Sequence, residues 1–271
     1  GGARPHASCG RGASVTSAAR ARIDGSGERC LVGLPHLEGL PSATVQALEA
    51  MCRRRRYGSM EIVVHAGERQ EHIGFVRSGV LRMQKTLADG RQHIVGLLFA
   101  GDMFGRVYDG PQGFDIEAAV DSEVCLFPRQ KFEALLPEAP ELDRVVMLSM
   151  LHDLDRARDW LLVVANQRIT SRLAGFLLML CTRLGGLDSF ARRTDEKLRV
   201  QIPISRVDLA HLLGTRVESI SRAFHALDDA GAIAILRPDL VEVTDPPALC
   251  DEAGGDFPDP RASLKDIIYL T

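Results

Sequence analysis

The fold is decided by the stretch PISRVDLAHLLGTRVESISRAFHAL, residues 203–227. Ser205 can cap a first short helix. Gly214 supplies a tight turn after that helix, at a point where a side chain would crowd a helix crossing. Thr215, with Glu218 three residues on, has the spacing of a capping box that starts a second helix. The stretch therefore predicts a helix-turn-helix.

Apolar residues on both expected helices mark the faces that pack inward. On the first helix the inward positions are Val207, Leu209 and Leu213. On the second helix they recur at three- and four-residue steps, at Val217, Ile220, Phe224 and Leu227. Each helix is therefore expected to bury one face and to leave the other exposed.

The opposite face of the second helix carries polar side chains at the same spacing, at Glu218, Ser221, Arg222 and His225. An arginine can bind O6 and N7 of guanine, a glutamate can accept from N4 of cytosine, and a serine can bind a base or a phosphate. We interpret this face as one that reads double-stranded DNA in the major groove. The alternative is a solvated face on which Glu218 is only a cap.

A hairpin is expected behind the two helices. Residues 233–236 and 240–243 are apolar, and Arg237-Pro238-Asp239 provides a turn between them. This hairpin completes a winged helix-turn-helix. The acidic, Pro- and Gly-rich residues 247–271 are expected to form a flexible tail.

The first half of the chain has the pattern of an antiparallel β-roll. A helix is expected over residues 41–55. Short apolar stretches then alternate with turn signals, at residues 62–64, 73–76, 80–83, 94–98 and 124–127. Many short strands at such spacing are typical of a closed or two-sheet β architecture.

A long helix is expected from residue 138, after Pro137. Six of its residues repeat at alternating three- and four-residue steps, at Met147, Met150, Leu154, Ala157, Leu161 and Val164. This is the spacing of a coiled-coil seam between two copies of the chain. The alternative is packing on the roll of the same subunit, and Val146, Leu151 and Leu162 could provide that contact. A further helix is expected over residues 168–184, and a polar loop over 187–197.

Composition restricts the class of protein. The chain has 271 residues, 45% of them hydrophobic and 25% charged, with a formal net charge of −3. Near-neutrality argues against non-specific coating of nucleic acid or membrane, and no apolar run is long enough to span a bilayer. The six cysteines are irregularly spaced, which favours a reducing cytoplasm over a disulfide scaffold. Residues 1–36 are expected to be a disordered arm.

An enzyme is not expected. The sequence contains no nucleophile motif, no Gly-rich phosphate loop and no HExxH metal pair. A ligand-binding module of a larger assembly remains an alternative, and it would need a partner surface in place of the polar helix face.

Taken together, these features resemble the Crp/Fnr family of bacterial regulators over residues 40–243. The most specific segments are VESISR (217–222), DGRQHIVG (89–96), AGDMFG (100–105) and VCLF (124–127). The resemblance implies an α+β protein that forms a homodimer and acts with RNA polymerase as an activator. Its implied parts are a sensory β-roll (37–137, like a cyclic-nucleotide-binding domain), a dimerisation helix (138–166) and a winged helix-turn-helix (167–246).

The spacing Glu218-x-x-Ser221-Arg222 matches the Fnr/FixK branch, which reads palindromes of TTGA-type half-sites. The resemblance makes these three residues the base-reading positions. Neighbouring candidates for DNA contact are Thr215, Arg216, Ser219 and His225. Arg216 stands where the Fnr branch often has threonine, so the preference at the outer base stays open.

Ordinary cyclic AMP binding is not expected. In cyclic-nucleotide members a glutamate follows the Phe-Gly turn, and an Arg-Ser or Arg-Thr pair follows later. Here Phe104-Gly105 is followed by Arg106, and a phosphate would meet Asp115 without a matching arginine. We expect the pocket to be apolar filler.

Four alternatives for the signal stay open. Oxygen-sensing relatives hold a 4Fe-4S cluster on cysteine thiolates. Cys125 is at the corresponding roll position, but Cys9, Cys30 and Cys52 lack a C-x-x-C pattern, and Cys52 could be a core residue. The second alternative is a haem held by His65, His72 or His93. The third is another small ligand of the roll, and the fourth is no cofactor at all, as in FixK-like members. The small, neutral Ala157 would allow dimerisation without a signal.

Overall fold

The computed structural model describes residues 30–31, 34–87, 92–108, 110–184, 191–194 and 197–254. Two short helices open it, α1 (Pro35–Glu38) and α2 (Ser42–Met51). The expectation of an arm over 1–36 is wrong where the structure describes it, because Cys30, Leu31 and Leu34 are buried. They belong to the same buried apolar cluster as Phe75 and Phe127 of the roll.

The roll consists of eight strands in two antiparallel sheets. They are β1 (Arg53–Tyr57), β2 (Ile62–Val64), β3 (His72–Ser78), β4 (Leu81–Thr86), β5 (Gln92–Leu98), β6 (Met103–Phe104), β7 (Asp115–Ala118) and β8 (Ser122–Pro128). The sheet orders are β1-β8-β3-β6 and β2-β7-β4-β5. Every apolar stretch expected to be a strand is one, while β1, β6 and β7 were not anticipated.

The helix expected over residues 41–55 is α2, which is shorter than expected and ends at Met51. The basic run after it forms β1, which pairs with β8 so that Arg54 lies opposite Cys125. Arg54 is buried and forms an ion pair with Glu123 of β8. The charges of this run hide its alternation of inward and outward side chains, so the pattern was interpreted as helical.

Helices follow the roll. They are α3 (Arg129–Leu135), α4 (Pro140–Ala165) and α5 (Ile169–Leu184), with a 3-10 turn (Leu136–Glu138) before α4. Val146 is buried against the roll as proposed, but Leu151 and Leu162 are exposed, so they do not contribute to intramolecular packing. No helix among the described residues combines the length and apolarity that a bilayer span requires.

The C-terminal domain adds helices to a four-stranded sheet. Its elements are β9 (Ala191–Thr194), β10 (Lys197–Gln201), α6 (Arg206–Leu212), α7 (Val217–Asp229), β11 (Ile233–Arg237), β12 (Leu240–Val243) and α8 (Pro246–Ala253), and the sheet order is β11-β12-β10-β9.

Two expectations for this domain fail. Residues 191–194 form a strand where a loop was expected, and residues 246–253 form a helix where the tail was expected to begin at 247. Asp245 caps α8 by accepting the backbone N–H of Ala248 at 3.1 Å, and Leu249 is fully buried. Local composition obscured this helix, which is stabilised by packing on the rest of the domain.

The roll and the C-terminal domain share one apolar core. Val80, Ile94 and Phe99 of the roll belong to the same cluster as the buried residues of α5, α6 and α7. An ion pair crosses the same junction, because Arg82 of β4 contacts Asp208 of α6 at 2.8 Å. The helix-turn-helix is thus held against the roll.

Candidate DNA-reading helix and cysteine cluster

The turn between α6 and α7 lies where expected, but the second helix starts later, and a side chain at Gly214 would not be crowded, since the nearest atom to a Cβ there is Arg172 Nη1 at 3.7 Å. Ser205 accepts the backbone N–H of Asp208 at 3.1 Å and caps α6. Gly214 has φ +65°, a conformation that costs other residues about 1–2 kcal/mol. The N-cap of α7 is Arg216, without a side-chain cap. The capping box expected at Thr215 is therefore wrong, because the helix starts one residue later.

The two faces of α7 separate as the spacing predicts. Its inner face consists of buried side chains, at Ile220, Ala223, Phe224 and Leu227. Its outer face is exposed at Glu218, Ser221, Arg222 and His225. Of the flanking candidates, Arg216 is exposed, and Thr215 and Ser219 are half-buried. On α6, Leu209 and Leu213 are buried, but Val207 is half exposed and is not a core residue.

The outer side chains of α7 have only weak internal contacts. The Arg222 guanidinium donates to Ser219 Oγ at 3.4 Å, and Ser221 Oγ donates to the Val217 carbonyl at 3.2 Å. A charged group held so loosely keeps most of its donors available for a base edge or a phosphate. This face therefore carries the donors and acceptors that base reading requires.

Arg206 of α6 packs against α7, and the sequence analysis did not predict this contact. Its guanidinium carbon lies 3.3 Å from the ring centroid of Phe224. Burial lowers the pKa of Arg206 to about 10, against a raising effect of Asp239. Arg206 remains charged at neutral pH and makes a cation–π contact between the two helices. An arginine at the start of an amphipathic helix gives no sequence signal for such a contact.

A hairpin lies beside α7 as the wing. β11 and β12 pair in antiparallel register, with Ile233 opposite Val243. At its turn Arg237 and Asp239 form an exposed ion pair at 3.4 Å. The expected winged helix-turn-helix is confirmed.

The face of α4 assigned to a dimer seam is largely exposed. Met147, Met150, Leu154, Ala157 and Leu161 are exposed, and Val164 is half-buried. Leu148, Leu151 and Leu162 extend the apolar surface. An apolar helix face of this extent is unusual on a monomer and indicates an interaction surface.

Three cysteines that are distant in sequence converge beside the roll. The Sγ atoms of Cys30, Cys52 and Cys125 all lie within 4.8 Å of one another. Cys30 and Cys52 form a disulfide, and Cys125 Sγ donates to the Cys30 carbonyl at 3.0 Å. Cys9 lies outside the described residues. The position of Cys125 in the roll was predicted from the sequence. No sequence pattern predicted that Cys30 and Cys52 would lie beside it.

The cysteine cluster is buried, and a carboxylate beside it holds the backbone of Cys30 and Leu31 in place. The Glu49 carboxylate accepts the backbone N–H groups of Cys30 and Leu31 at 2.7 and 2.9 Å. Burial raises the pKa of the Cys125 thiol to about 12, although Arg54 acts in the opposite direction. Cys125 is therefore a neutral thiol unless an electrophile or metal ion displaces its proton.

The three cysteines are the type of ligand that a thiolate-bound metal group requires, but they provide only part of the number of ligands. A 4Fe-4S cluster takes four thiolates, and the described residues offer three in one group. Cys30 and Cys52 cannot ligate a metal while they form a disulfide, because both uses consume the same sulfur atoms. Ligation and the disulfide are therefore alternative states of one site.

The expected histidine ligands do not come together. His65 and His93 are exposed, and His72 is half-buried, with a pKa lowered by burial. Among the described residues, the group of metal-ligand side chains that lie close together consists of the three cysteines and contains no histidine. The geometry of the roll thus gives no support to a haem held by these residues.

The roll contains a cavity of about 220 Å³ where the nucleotide pocket was expected to be filled. Its lining includes Arg106, Gln112 and Asp153 beside apolar residues, so the expectation of apolar filler is wrong. The Asp115 carboxylate accepts the Ala66 backbone N–H at 2.8 Å and does not line the cavity. Asp115 lies on the opposite face of its strand from Ile116, which lines the cavity. A ligand in the cavity would therefore contact Arg106 and not Asp115.

Family models match both domains. Residues 54–138 match the cyclic nucleotide-binding domain, and residues 171–252 match the Crp-like helix-turn-helix domain. These segments correspond to the roll and to the domain that carries α7.

Similar proteins are transcription regulators. The chain is 32% identical over 198 residues to the nitrogen fixation regulation protein FixK of Bradyrhizobium diazoefficiens, covering 73% of this chain and 81% of FixK. It is 29% identical over 215 residues to the transcriptional activator protein FnrL of Cereibacter sphaeroides, covering 79% and 86%. The solved structure of FixK2 from Bradyrhizobium japonicum superposes with a TM-score of 0.65 at 25% identity, covering 74% and 96%.

Proposed function

Because the chain belongs to the Crp/Fnr family of transcription regulators, in its Fnr/FixK branch, we propose that it binds a palindrome of TTGA-type half-sites as a homodimer and activates transcription. The observation that carries this proposal is the exposed face of α7, with Glu218, Ser221 and Arg222 on one side of the helix. Arginine and glutamate on a recognition helix suit guanine and cytosine edges, respectively.

A homodimer would place two copies of α7 on one face of the DNA. The exposed apolar face of α4 is the surface that would pair, at the spacing of a two-helix seam. Two recognition helices related by a twofold axis contact half-sites about 10 base pairs apart, one helical turn. A palindromic target follows from this symmetry.

The target is tested by fluorescence anisotropy on three duplexes. One carries two TTGA half-sites in inverted orientation, one carries a single half-site, and one carries none. We expect the palindrome to bind at least 10³-fold more tightly than the duplex without half-sites, since that is the usual margin of specific binding. Equal affinity for all three would contradict base reading by α7.

The dimer is tested with Leu154→Glu on α4. A carboxylate in the centre of the seam would be desolvated beside its symmetry mate, so we expect monomers in sedimentation and loss of the preference for two half-sites over one. Arg158→Gln, which changes the net charge equally at an exposed position of the same helix, serves as the control and should stay dimeric. A monomeric wild-type protein would contradict the homodimer.

The response to oxygen or redox state is proposed on the convergence of Cys30, Cys52 and Cys125. In the reduced protein these residues would hold a thiolate-bound iron–sulfur cluster, with Cys9 as the fourth ligand. Such a cluster supplies oxygen-sensitive chemistry when bound. The chain's own part is to bury the site and to position Cys30 through Glu49.

The signal is tested by anaerobic purification, with absorption spectra and iron and sulfide assays before and after exposure to air. A broad visible band that bleaches in air, and is lost in Cys125→Ser but kept in Cys181→Ser, supports the cluster. A colourless protein whose DNA affinity changes as the Cys30–Cys52 disulfide forms would support thiol oxidation instead. A colourless protein with unchanged affinity would support a regulator without a cofactor, as proposed for FixK-like members.

A transcription activator of this design works where the chromosome is accessible. We therefore propose a cytoplasmic location and RNA polymerase as a partner, both on family membership. A pull-down of polymerase with promoter DNA in the presence and absence of the protein checks the second point.

A further inference from the structure

A second cleft lies where the roll, α4 and the C-terminal domain meet. We call it the junction cleft, and it is lined chiefly by Val95, Leu97, Trp160, Phe176, Met179 and Leu212. Its volume is about 150 Å³. The lining side chains come from β5, α4, α5 and α6, so the cleft exists only because the two domains pack together.

We propose that the junction cleft binds one small, uncharged, apolar molecule the size of a single aromatic ring. The cleft is partly open to solvent and its lining is mostly apolar, and apolar protein cavities of about this volume, roughly 150 Å³, take up benzene. Folded interiors seldom leave so much apolar space, because the side chains around it lose dispersion contacts. Filling the cleft with an apolar ring restores those contacts without desolvating a charge.

Two features of the wall favour an aromatic ring. Trp160 meets Phe176 edge to face, with ring centroids 6.4 Å apart and planes at 80°, so the cleft borders an aromatic pair. Aromatic rings add favourable offset or edge contacts to such a pair. Gly96 also lines the cleft, and a Cβ there would lie 2.8 Å from the terminal methyl of Met83. Met83 also lines the cleft, so its flexible methyl would have to shift if residue 96 carried a side chain.

The charges at the edge of the cleft exclude an anionic ligand. Arg156 forms ion pairs with Asp102 and Asp153, so one positive charge faces two negative charges. An incoming carboxylate would add a third negative charge and would have to compete for the same guanidinium. A neutral molecule avoids this repulsion.

An occupant would contact both halves of the protein. Leu212 is the last residue of α6, one turn before the reading helix, and Leu97 belongs to the roll. The site goes beyond the proposed function, since neither DNA reading nor the cysteine cluster uses it, and of the proposed dimer seam only Ala157 lines it. Its occupancy is measured without DNA, so the result does not depend on the TTGA assignment.

Trp160 provides a direct reporter because it is the single tryptophan of the chain and lines the cleft. The experiment titrates the full-length protein with iodobenzene and follows the Trp160 fluorescence lifetime. The iodine atom of iodobenzene quenches the fluorescence of an indole at contact distance. We expect a saturable short-lifetime component, as bound probe gives. Quenching that only rises linearly with concentration is collisional and would overturn the proposal.

The location is tested with variants that fill the cleft. Leu97→Phe, and Val95→Phe as a second choice at a partly exposed position, should abolish the saturable component. Ile62→Phe enlarges an exposed apolar residue on β2, away from the cleft, and should leave it unchanged. Thermal unfolding checks that each variant is folded. Saturable quenching of equal strength in the folded Leu97→Phe and Val95→Phe variants would place the probe elsewhere and overturn the proposal.

Discussion

Arg222 is the side chain on which we expect base discrimination by α7 to depend most. It is exposed, and its hydrogen bond within the described part of the chain is a weak one, to Ser219. Arg222→Ala should therefore weaken binding to the palindrome by about 1–3 kcal/mol, the usual value of a bidentate contact with a base, and relax discrimination at that position. Anisotropy on the palindrome and on single-base variants measures both effects.

The matched control for this prediction is Arg56→Ala. Arg56 is an exposed arginine of β1, on the roll, and its loss changes the net charge equally. Its effect on DNA binding should be small. Equal losses for both variants would mean that Arg222 contributes only general electrostatic attraction.

Cys181, in the core of the C-terminal domain, should make stability sensitive to alkaline pH. Burial raises the pKa of this thiol from 9.0 to about 12. Below pH 9 the thiol keeps its proton in both states. Above pH 9 it ionises only when the chain unfolds, so the free energy of unfolding falls as pH rises toward 12, by at most about 1.4 kcal/mol per pH unit.

Urea unfolding between pH 8 and 11 tests this effect against the Cys181→Ala variant, which lacks the group. The wild type should lose stability more steeply than the variant above pH 9. Parallel curves would show that the buried thiol does not contribute to the pH dependence.

At the scale of the element, the α6–α7 turn depends on Gly214. With φ +65°, an alanine there is strained, and Gly214→Ala should lower the free energy of unfolding by about 1–2 kcal/mol. Space is not limiting, because the nearest foreign atom to a Cβ would be the Arg172 Nη1, 3.7 Å away. The cost is therefore conformational.

Gly39→Ala is the control for the turn. Gly39 follows α1 with φ −85°, and no atom of the described residues lies within 4 Å of a Cβ there. That variant should have wild-type stability or slightly more, since alanine restricts the unfolded chain. Chemical denaturation of both variants decides the matter, and a Gly214→Ala variant as stable as Gly39→Ala would refute the strain.

At the scale of the whole molecule, Arg82 connects the roll to the helix-turn-helix. Its guanidinium contacts Glu117 of the roll at 2.6 Å and Asp208 of α6 at 2.8 Å, and it is buried. Because the pair is shielded from water, a double-mutant cycle of Arg82→Met and Asp208→Asn should show a coupling energy of about 0.5–3 kcal/mol in unfolding. The same cycle measured by DNA affinity reports whether the contact sets the position of the reading helix.

The control for the junction is a comparable pair on the surface. Arg237 and Asp239 on the wing are both exposed, and a cycle there should give about 0–1 kcal/mol. A coupling energy at Arg82 and Asp208 no larger than this would mean that the two domains are not linked through the ion pair.

Much of the reading helix was predictable because it is local. The alternation of Ile220 and Phe224 with Ser221 and Arg222 follows from helical periodicity, and the exposed and buried faces are as expected. Helix starts are less well determined, and α7 begins at Val217 with Arg216 as its N-cap instead of Thr215. Single caps differ by energies that tertiary contacts outweigh.

The sequence by itself determined the β-roll, the long helix and the winged helix-turn-helix, since each has its own period of apolar residues or its own turn residues. Only the tertiary structure decided what meets across the chain. Cys30 and Cys52 meet Cys125, and Arg82 meets Asp208, 126 residues away in sequence. A residue's burial and partners at such separations depend on the packing of whole elements, and no local pattern encodes that packing.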